Sequence, residues 1–397
     1  MDIKIQESTI FKLPANNINI LETETKEPVI ISSTINYPLL SLGYHYFLRR
    51  TRNDFINTTS KIKTDNKFYY VINPFEPVIP NYDESLDKMT QIYLNSKSKD
   101  IPPRSYYKLW EMLYLFNLTN VKNSKDFVYT SFDKDTSGFP KAFTSYKEKL
   151  DSNNKFVINE LNNNFAKEIN KIKNQADLIT GNCRLDLSLE NKLDQEQYSY
   201  ELIFAEIVSA LKHQKIHGHF VLRVFDTFTI VTLKMIYILT HFYEEVYVYK
   251  PYFSRPTSNE KYIICKNYKD INKKHITYLE MILDKMHTKE YIYDILPDIE
   301  LPDEFVRLFT YINLKLVNIQ QIVLNEMITF INENNYYGDK YHKYRENQIN
   351  ATKWWSRLFY APSKNLYDKN KEEIIKHIET TYITNKMDAE QLYKQLV

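Results

Sequence analysis

The sequence predicts an α/β protein built on a doubly wound, mostly parallel, Rossmann-like sheet. From Asp126 onward, short apolar runs alternate with amphipathic stretches of roughly 10 to 15 residues, the pattern of strand, crossover helix and parallel strand. Only five glycines occur in 397 residues, and three of them, Gly138, Gly181 and Gly218, fall beside predicted strands of this one region. Polar residues gather where the predicted strands end, which is where ligands bind in open α/β sheets.

The elements follow in order. Residues 1–100 mix β-rich runs ("EPVIISSTI", "KFYYVINPFEPVIP") with polar turns, an N-terminal extension to which the pattern assigns no fold. "DIPPRSYYKLWEMLYLFNLT" opens on paired prolines, and Tyr107, Trp110, Leu113 and Leu115 recur at helical spacing, so a helix starts near Ser105. "DFVYTSF" reads as a strand and "SGFPKAFTSY" as a turn into a helix. "KFVINE" and "ADLITGN" are further strands, with "NFAKEINKIKNQ" a helix between them. Next come the helix "YSYELIFAEIVSALKHQ", the buried strand "GHFVLRVFD", the helix "FTIVTLKMIYILTHFY" and the strand "EEVYVYKP". "SRPTSNEKYIICKNY" is a polar turn into a last strand. Residues 271–397 read as a helical C-terminal appendage on the domain formed by residues 101–270.

Composition narrows the function classes. Lys plus Arg total 52 against 50 Asp plus Glu, a net charge of +2, so a nucleic-acid surface must be a local patch. Two cysteines, Cys183 and Cys265, fall short of a disulfide scaffold or a zinc set and point to a reducing, intracellular compartment. No signal peptide is seen, and no apolar stretch approaches the roughly 20 residues needed to span a bilayer. No P-loop, G-x-S-x-G or H-E-x-x-H occurs, which removes most nucleotide hydrolases, esterases and zincins. His213, His217 and His219 straddle a helix end and a strand start without an evident fourth ligand, so no metal site is expected.

Four segments carry the chemistry. "RSYYKLWE" places Lys108 one helical turn after Arg104, and "GHFVLRVFD" puts Arg223 inside an apolar strand. "DLITGNCRLD" ends a strand on Gly181 and Asn182, and "SRPTSNEKY" sets Arg255 and Glu260 at the head of a strand. Each alone has a bland explanation: a capped helix, a snorkelling arginine, a turn asparagine. In this order on a doubly wound sheet they resemble the FtsJ-like (RrmJ-like) RNA ribose 2′-O-methyltransferases, with closest likeness to the cap-modifying members of large cytoplasmic DNA viruses. The resemblance covers about residues 101–268.

The resemblance implies S-adenosylmethionine (SAM) as cofactor, RNA, including capped mRNA, as partner, and a Lys-Asp-Lys-Glu tetrad around the ribose hydroxyl. Lys108 matches the first lysine and Glu260 the glutamate. Asn182 stands where the family has aspartate, and Arg223 where it has the second lysine. The glycine-rich SAM turn appears as Asp135, Thr136, Ser137, Gly138, Phe139, keeping only its second glycine and the phenylalanine. Glu160, 22 residues beyond Gly138, stands where an acid could bind the ligand ribose, and Arg184 points to the pocket mouth.

These departures bear on mechanism. A guanidinium stays protonated at any usable pH, so Arg223 can hold an oxyanion but cannot accept its proton, and Asn182 lacks the charge of the aspartate it replaces. The expected function is a methyltransferase-fold protein that has lost catalysis and SAM, serving as an RNA-binding or structural subunit of an RNA-processing complex in the cytoplasm of a host or in a virion. The alternative is an active cap 2′-O-methyltransferase with an altered tetrad. In either case Arg104, Lys108 and Arg255 are expected to contact RNA. A third reading makes Trp354 and Trp355 a protein-docking anchor.

Overall fold

A computed structural model describes residues 9–14, 26–36, 42–62, 68–76, 102–121, 126–132, 138–150, 155–161, 165–171, 175–182, 185, 187–188, 191–269, 273–288 and 290–360. In chain order these form β1 (Thr9–Lys12), β2 (Val29–Ser32), α1 (Leu42–Thr59), α2 (Arg104–Phe116), β3 (Phe127–Ser131), α3 (Phe139–Leu150), β4 (Phe156–Glu160) and β5 (Ala176–Gly181). Then follow α4 (Tyr200–His213), β6 (Gln214–Val224), α5 (Ile230–Phe242), β7 (Tyr243–Lys250), β8 (Lys261–Tyr268), α6 (Lys273–Met286), β9 (Tyr291–Ile295), α7 (Asp303–Asn332) and α8 (Asp339–Phe359).

The central sheet has the order β1-β7-β8-β6-β5-β3-β4. The pairs β3/β4, β3/β5 and β5/β6 are parallel. Because β8 runs antiparallel to both β6 and β7, those two share one direction, so β3 through β7 all run the same way. The mostly parallel sheet expected from the sequence is therefore present. β3 and β5 are buried at every position, which is why they read as continuous apolar runs, while edge strand β4 leaves Val157 and Glu160 exposed.

The chain leaves β3 for β4 on one side and returns to β5 on the other. That reversal opens a crevice at the carboxyl ends of β3 and β5. One face of the sheet packs Ile179, Phe220, Leu222 and Ile263 against α4 and α5. The other packs Leu178, Val221, Tyr249 and Tyr262 against α2, α3 and the end of α8.

The N-terminal extension, to which the sequence assigned no fold, supplies β1, which extends the central sheet by pairing antiparallel with β7. Several expectations are corrected. "FYYVI" forms a short 3-10 helix rather than a strand, buried through Tyr69, Val71 and Ile72 against α7 and α8. The C-terminal region contributes β9, which pairs antiparallel with β2 and buries Ile292 and Ile295. The helix expected after β4 is reduced to Phe165–Glu168 and a 3-10 turn. Trp355 is fully buried, and Trp354 is part-buried with its ring 5.2 Å from that of Tyr252, so the pair is core and not a docking anchor.

Among the described residues no helix is long and apolar enough to cross a membrane.

Candidate active site

Pro103 is held extended (φ −62, ψ 156) and starts α2 one residue later, so the paired prolines do set the helix start. The helix ends where Asn117 adopts the left-handed conformation and its N–H bonds the Leu113 carbonyl. Residues 105–116 are all buried, so Lys108 enters the interior as a charge that needs a partner.

The partner is Glu260, which directly precedes β8 and forms an ion pair with Lys108 Nζ. Ser254 Oγ donates to Glu260 Oε1 at 2.8 Å. The β5/β6 register sets Gly181 beside Leu222, so the next residues, Asn182 and Arg223, leave neighbouring strands at one level. Strand alternation turns both toward the face of Leu178 and Val221, on which α2 lies, and Arg223 pairs across β8 with Tyr262. Both are buried, and the Arg223 guanidinium carbon sits 5.2 Å above the Phe225 ring. The fold thus brings Lys108, Asn182, Arg223 and Glu260 to one face at the carboxyl end of the sheet.

Electrostatics follow from that proximity. Burial pushes the Glu260 carboxyl up, but Lys108, Arg223 and Lys250 together hold it well below the usual carboxylate range. Burial drives the Lys108 ammonium down, and Arg104 and Arg223 push the same way while Glu260 opposes them.

The arginines expected to meet RNA have an intramolecular partner. Glu76, buried at the end of the 68–76 segment, receives Arg104 Nη1 in an ion pair, and Arg255 through Nε at 3.0 Å and Nη2 at 2.8 Å. Burial raises the Glu76 carboxyl, and the two guanidiniums overcome it to hold the group at about 2. Arg255 also lies 3.8 Å from the Tyr70 ring centroid.

Residues that sequence reasoning missed support the site from behind. Glu111, one turn beyond Lys108, accepts four hydrogen bonds: Tyr249 Oη at 2.6 Å, Tyr252 N at 2.8 Å, Phe253 N at 3.1 Å and Trp355 Nε1 at 2.9 Å. It holds the 251–255 turn, and with it Ser254 and Arg255, against α2 and α8. Lys250 Nζ donates to the carbonyls of Ser258 (2.7 Å) and Glu260 (3.0 Å), and burial lowers it to about 7. Asp226 joins Arg52 of α1 through two bonds and accepts Asn259 Nδ2 at 3.0 Å. The available signal was a charged residue inside an apolar run, as in "KLWEMLYLF" and "YVYKPYF".

On the cofactor side, Asp135, Thr136, Ser137, Cys183 and Arg184 lie outside the described residues. Gly138 is packed against the start of α2: a Cβ there would meet Pro103 Cγ, Tyr106 Cβ and Tyr106 N, each at 2.8 Å. Its N–H donates to Ser105 Oγ at 2.7 Å. A Cβ on Gly181 would meet the Glu206 carboxyl carbon at 2.9 Å. At both glycines the space a Cβ would fill is occupied by neighbouring protein atoms. Phe139 is core, 6.2 Å from the Tyr262 ring, and Glu160 is exposed at the end of β4. Gly138→Ala should cost about 1–3 kcal/mol, because the obstruction includes backbone; an unchanged denaturation midpoint would refute this packing.

His219 is buried, with Nε2 3.3 Å from the Asn120 carbonyl and Nδ1 accepting the Asn267 N–H at 3.2 Å. Burial lowers it to about 4. No group of three potential metal ligands forms among the described residues.

A mostly parallel sheet with β8 and β1 reversed, and a buried Lys108–Glu260 pair beside the ends of β5 and β6, define a Rossmann-like α/β fold with a polar site at its crevice. Residues 102–268 match the model of the FtsJ-like methyltransferase family. Uncharacterized protein R383 of Acanthamoeba polyphaga mimivirus is 23% identical over 372 residues, covering 91% of this chain and 95% of that protein. Cap-specific mRNA (nucleoside-2′-O-)-methyltransferase 2 of Drosophila melanogaster is 32% identical over 119 residues, 30% of this chain but 16% of that enzyme. The mouse cap-specific methyltransferase 1 is 39% identical over 75 residues, 19% of this chain and 9% of that enzyme. The chain therefore spans less than a fifth of either cap methyltransferase. A solved structure described as a ribosomal RNA methyltransferase from Plasmodium falciparum aligns with 42% of this chain at 17% identity and a TM-score of 0.32.

Proposed function

We propose that this FtsJ-like protein binds RNA, capped mRNA included, as a non-catalytic subunit of an mRNA-processing assembly. The observation carrying the reading is the placement of Asn182 and Arg223, both buried, one residue past the Gly181–Leu222 pair of neighbouring strands and on the face where Lys108 meets Glu260. A ribose hydroxyl is a weak acid, so methyl transfer to it needs a proton acceptor or strong stabilisation of the alkoxide. Arg223 can stabilise but not accept, Asn182 brings no charge, and Lys108 is already engaged with Glu260. Loss of coupled catalytic groups removes orders of magnitude of rate. The protein contacts at Gly138 and Gly181 support loss of SAM as well. The likeness to cap-specific mRNA methyltransferases supports RNA as the partner, and the mimivirus relative supports a viral setting in host cytoplasm or virion.

The expected result is no transfer of label from methyl-labelled SAM to capped RNA, and no micromolar heat of SAM binding by titration calorimetry. RNA product above background would overturn it. One observation favours a second reading, an active cap 2′-O-methyltransferase: burial and two neighbouring guanidiniums lower Lys108 toward the range where an amine accepts a proton. Label that accumulates and disappears in Lys108→Met would establish that reading instead.

A further inference from the structure

We propose that the outer face of α1 is a stacking platform for single-stranded RNA leading to the site, an inference that rests on the RNA-binding reading above. Tyr46 is 62% and Phe47 55% exposed, on a helix whose inner side is packed through Leu48 and Phe55 against Phe228, Val317 and Leu324. Large rings left in water at adjacent positions are unfavourable for a helix that has nothing to bind. Arg50, one turn further, shares their face and is also exposed. Gly43, one turn before, lies on the same face with nothing within 4 Å of where a Cβ would be, which leaves open space beside the rings for a planar base.

The platform is rigid and adjoins the site. Arg52 is fixed by two bonds to Asp226, at 2.7 and 2.8 Å, and by Gln320 at 2.9 Å; Asp226 in turn holds Asn259, next to Glu260. Arg49 pairs with Asp194, in the stretch that follows the β5 turn. Two arginines thus anchor the helix through the inner site, and the third faces outward among aromatic rings. Charge selects the occupant: from Leu42 to Asn53 the helix carries arginines and no carboxylate, and base stacking on aromatics beside a cation is how single strands are held without sequence readout. The arginines expected from sequence to meet phosphate, Arg104 and Arg255, are bonded to Glu76, so this face supplies what they do not.

The test is fluorescence anisotropy of a labelled, uncapped 12-nucleotide single-stranded RNA with the full chain. Tyr46→Ala with Phe47→Ala should weaken binding about tenfold or more, Tyr46→Leu with Phe47→Leu should also weaken it, and Tyr46→Phe with Phe47→Tyr should retain it. Arg50→Ala should lower the slope of log affinity against log salt by about 0.7. Wild-type affinity in the double alanine variant would overturn the platform and leave the RNA-binding reading standing. If the wild-type chain binds no RNA, both fall.

Discussion

Glu111→Ala is expected to destabilise the protein by about 4 kcal/mol or more, since it strands four donors that the carboxylate satisfies, each worth about 1–3 kcal/mol when buried and unpaired. A loss under about 1 kcal/mol in chemical denaturation would mean water replaces the carboxylate. The charge adds a pH signature. Burial raises Glu111 to about 7, outweighing its four donors, against 4.5 when unfolded. Between those values the folded state holds a proton that the unfolded state has released. Glu111 therefore makes stability fall as pH rises from about 4.5 to 7, by at most about 1.4 kcal/mol per pH unit, with no further change above 7. The buried histidines lowered by desolvation act in the opposite sense, so the measurement is the difference between wild type and Glu111→Gln at each pH. That difference should narrow from pH 5 to pH 7, and a constant difference would refute it.

Glu260→Ala is expected to cost about 3–5 kcal/mol, because it leaves the Lys108 ammonium buried beside Arg104 and Arg223 with no counter-charge. Lys108→Met combined with Glu260→Leu should cost clearly less than Glu260→Ala alone, since replacing a buried pair by apolar volume is often near neutral. A double variant as unstable as the sum of its singles would show that the two side chains act independently. Such independence would also weaken the argument that Lys108 is committed to Glu260.

Legibility in the sequence varied with the range of the forces involved. The strands from β3 to β8 and helices α2, α4 and α5 could be read because each is defined by local periodicity and by turn residues at its ends. β1 and β9 could not be placed that way, since their pairing with β7 and β2 spans most of the chain and their short segments carry no strong pattern. "FYYVI" misled because aromatic and β-branched residues suit a buried 3-10 turn as well as a strand.

The sequence by itself determined the order of the elements from β3 to β8 and the residue types at positions 108, 182, 223 and 260, because those are properties of local spacing and residue type. A tetrad at those positions is what the family resemblance implies. Only the tertiary structure decided which charges neutralise one another. Glu76 meets Arg104 and Arg255, and Asp226 meets Arg52, across separations of 28 to 179 residues. Trp355 reaches Glu111 across 244. Such partners are selected by the shape of the folded core, where an unpaired buried charge is too costly to persist, and no local pattern records that choice.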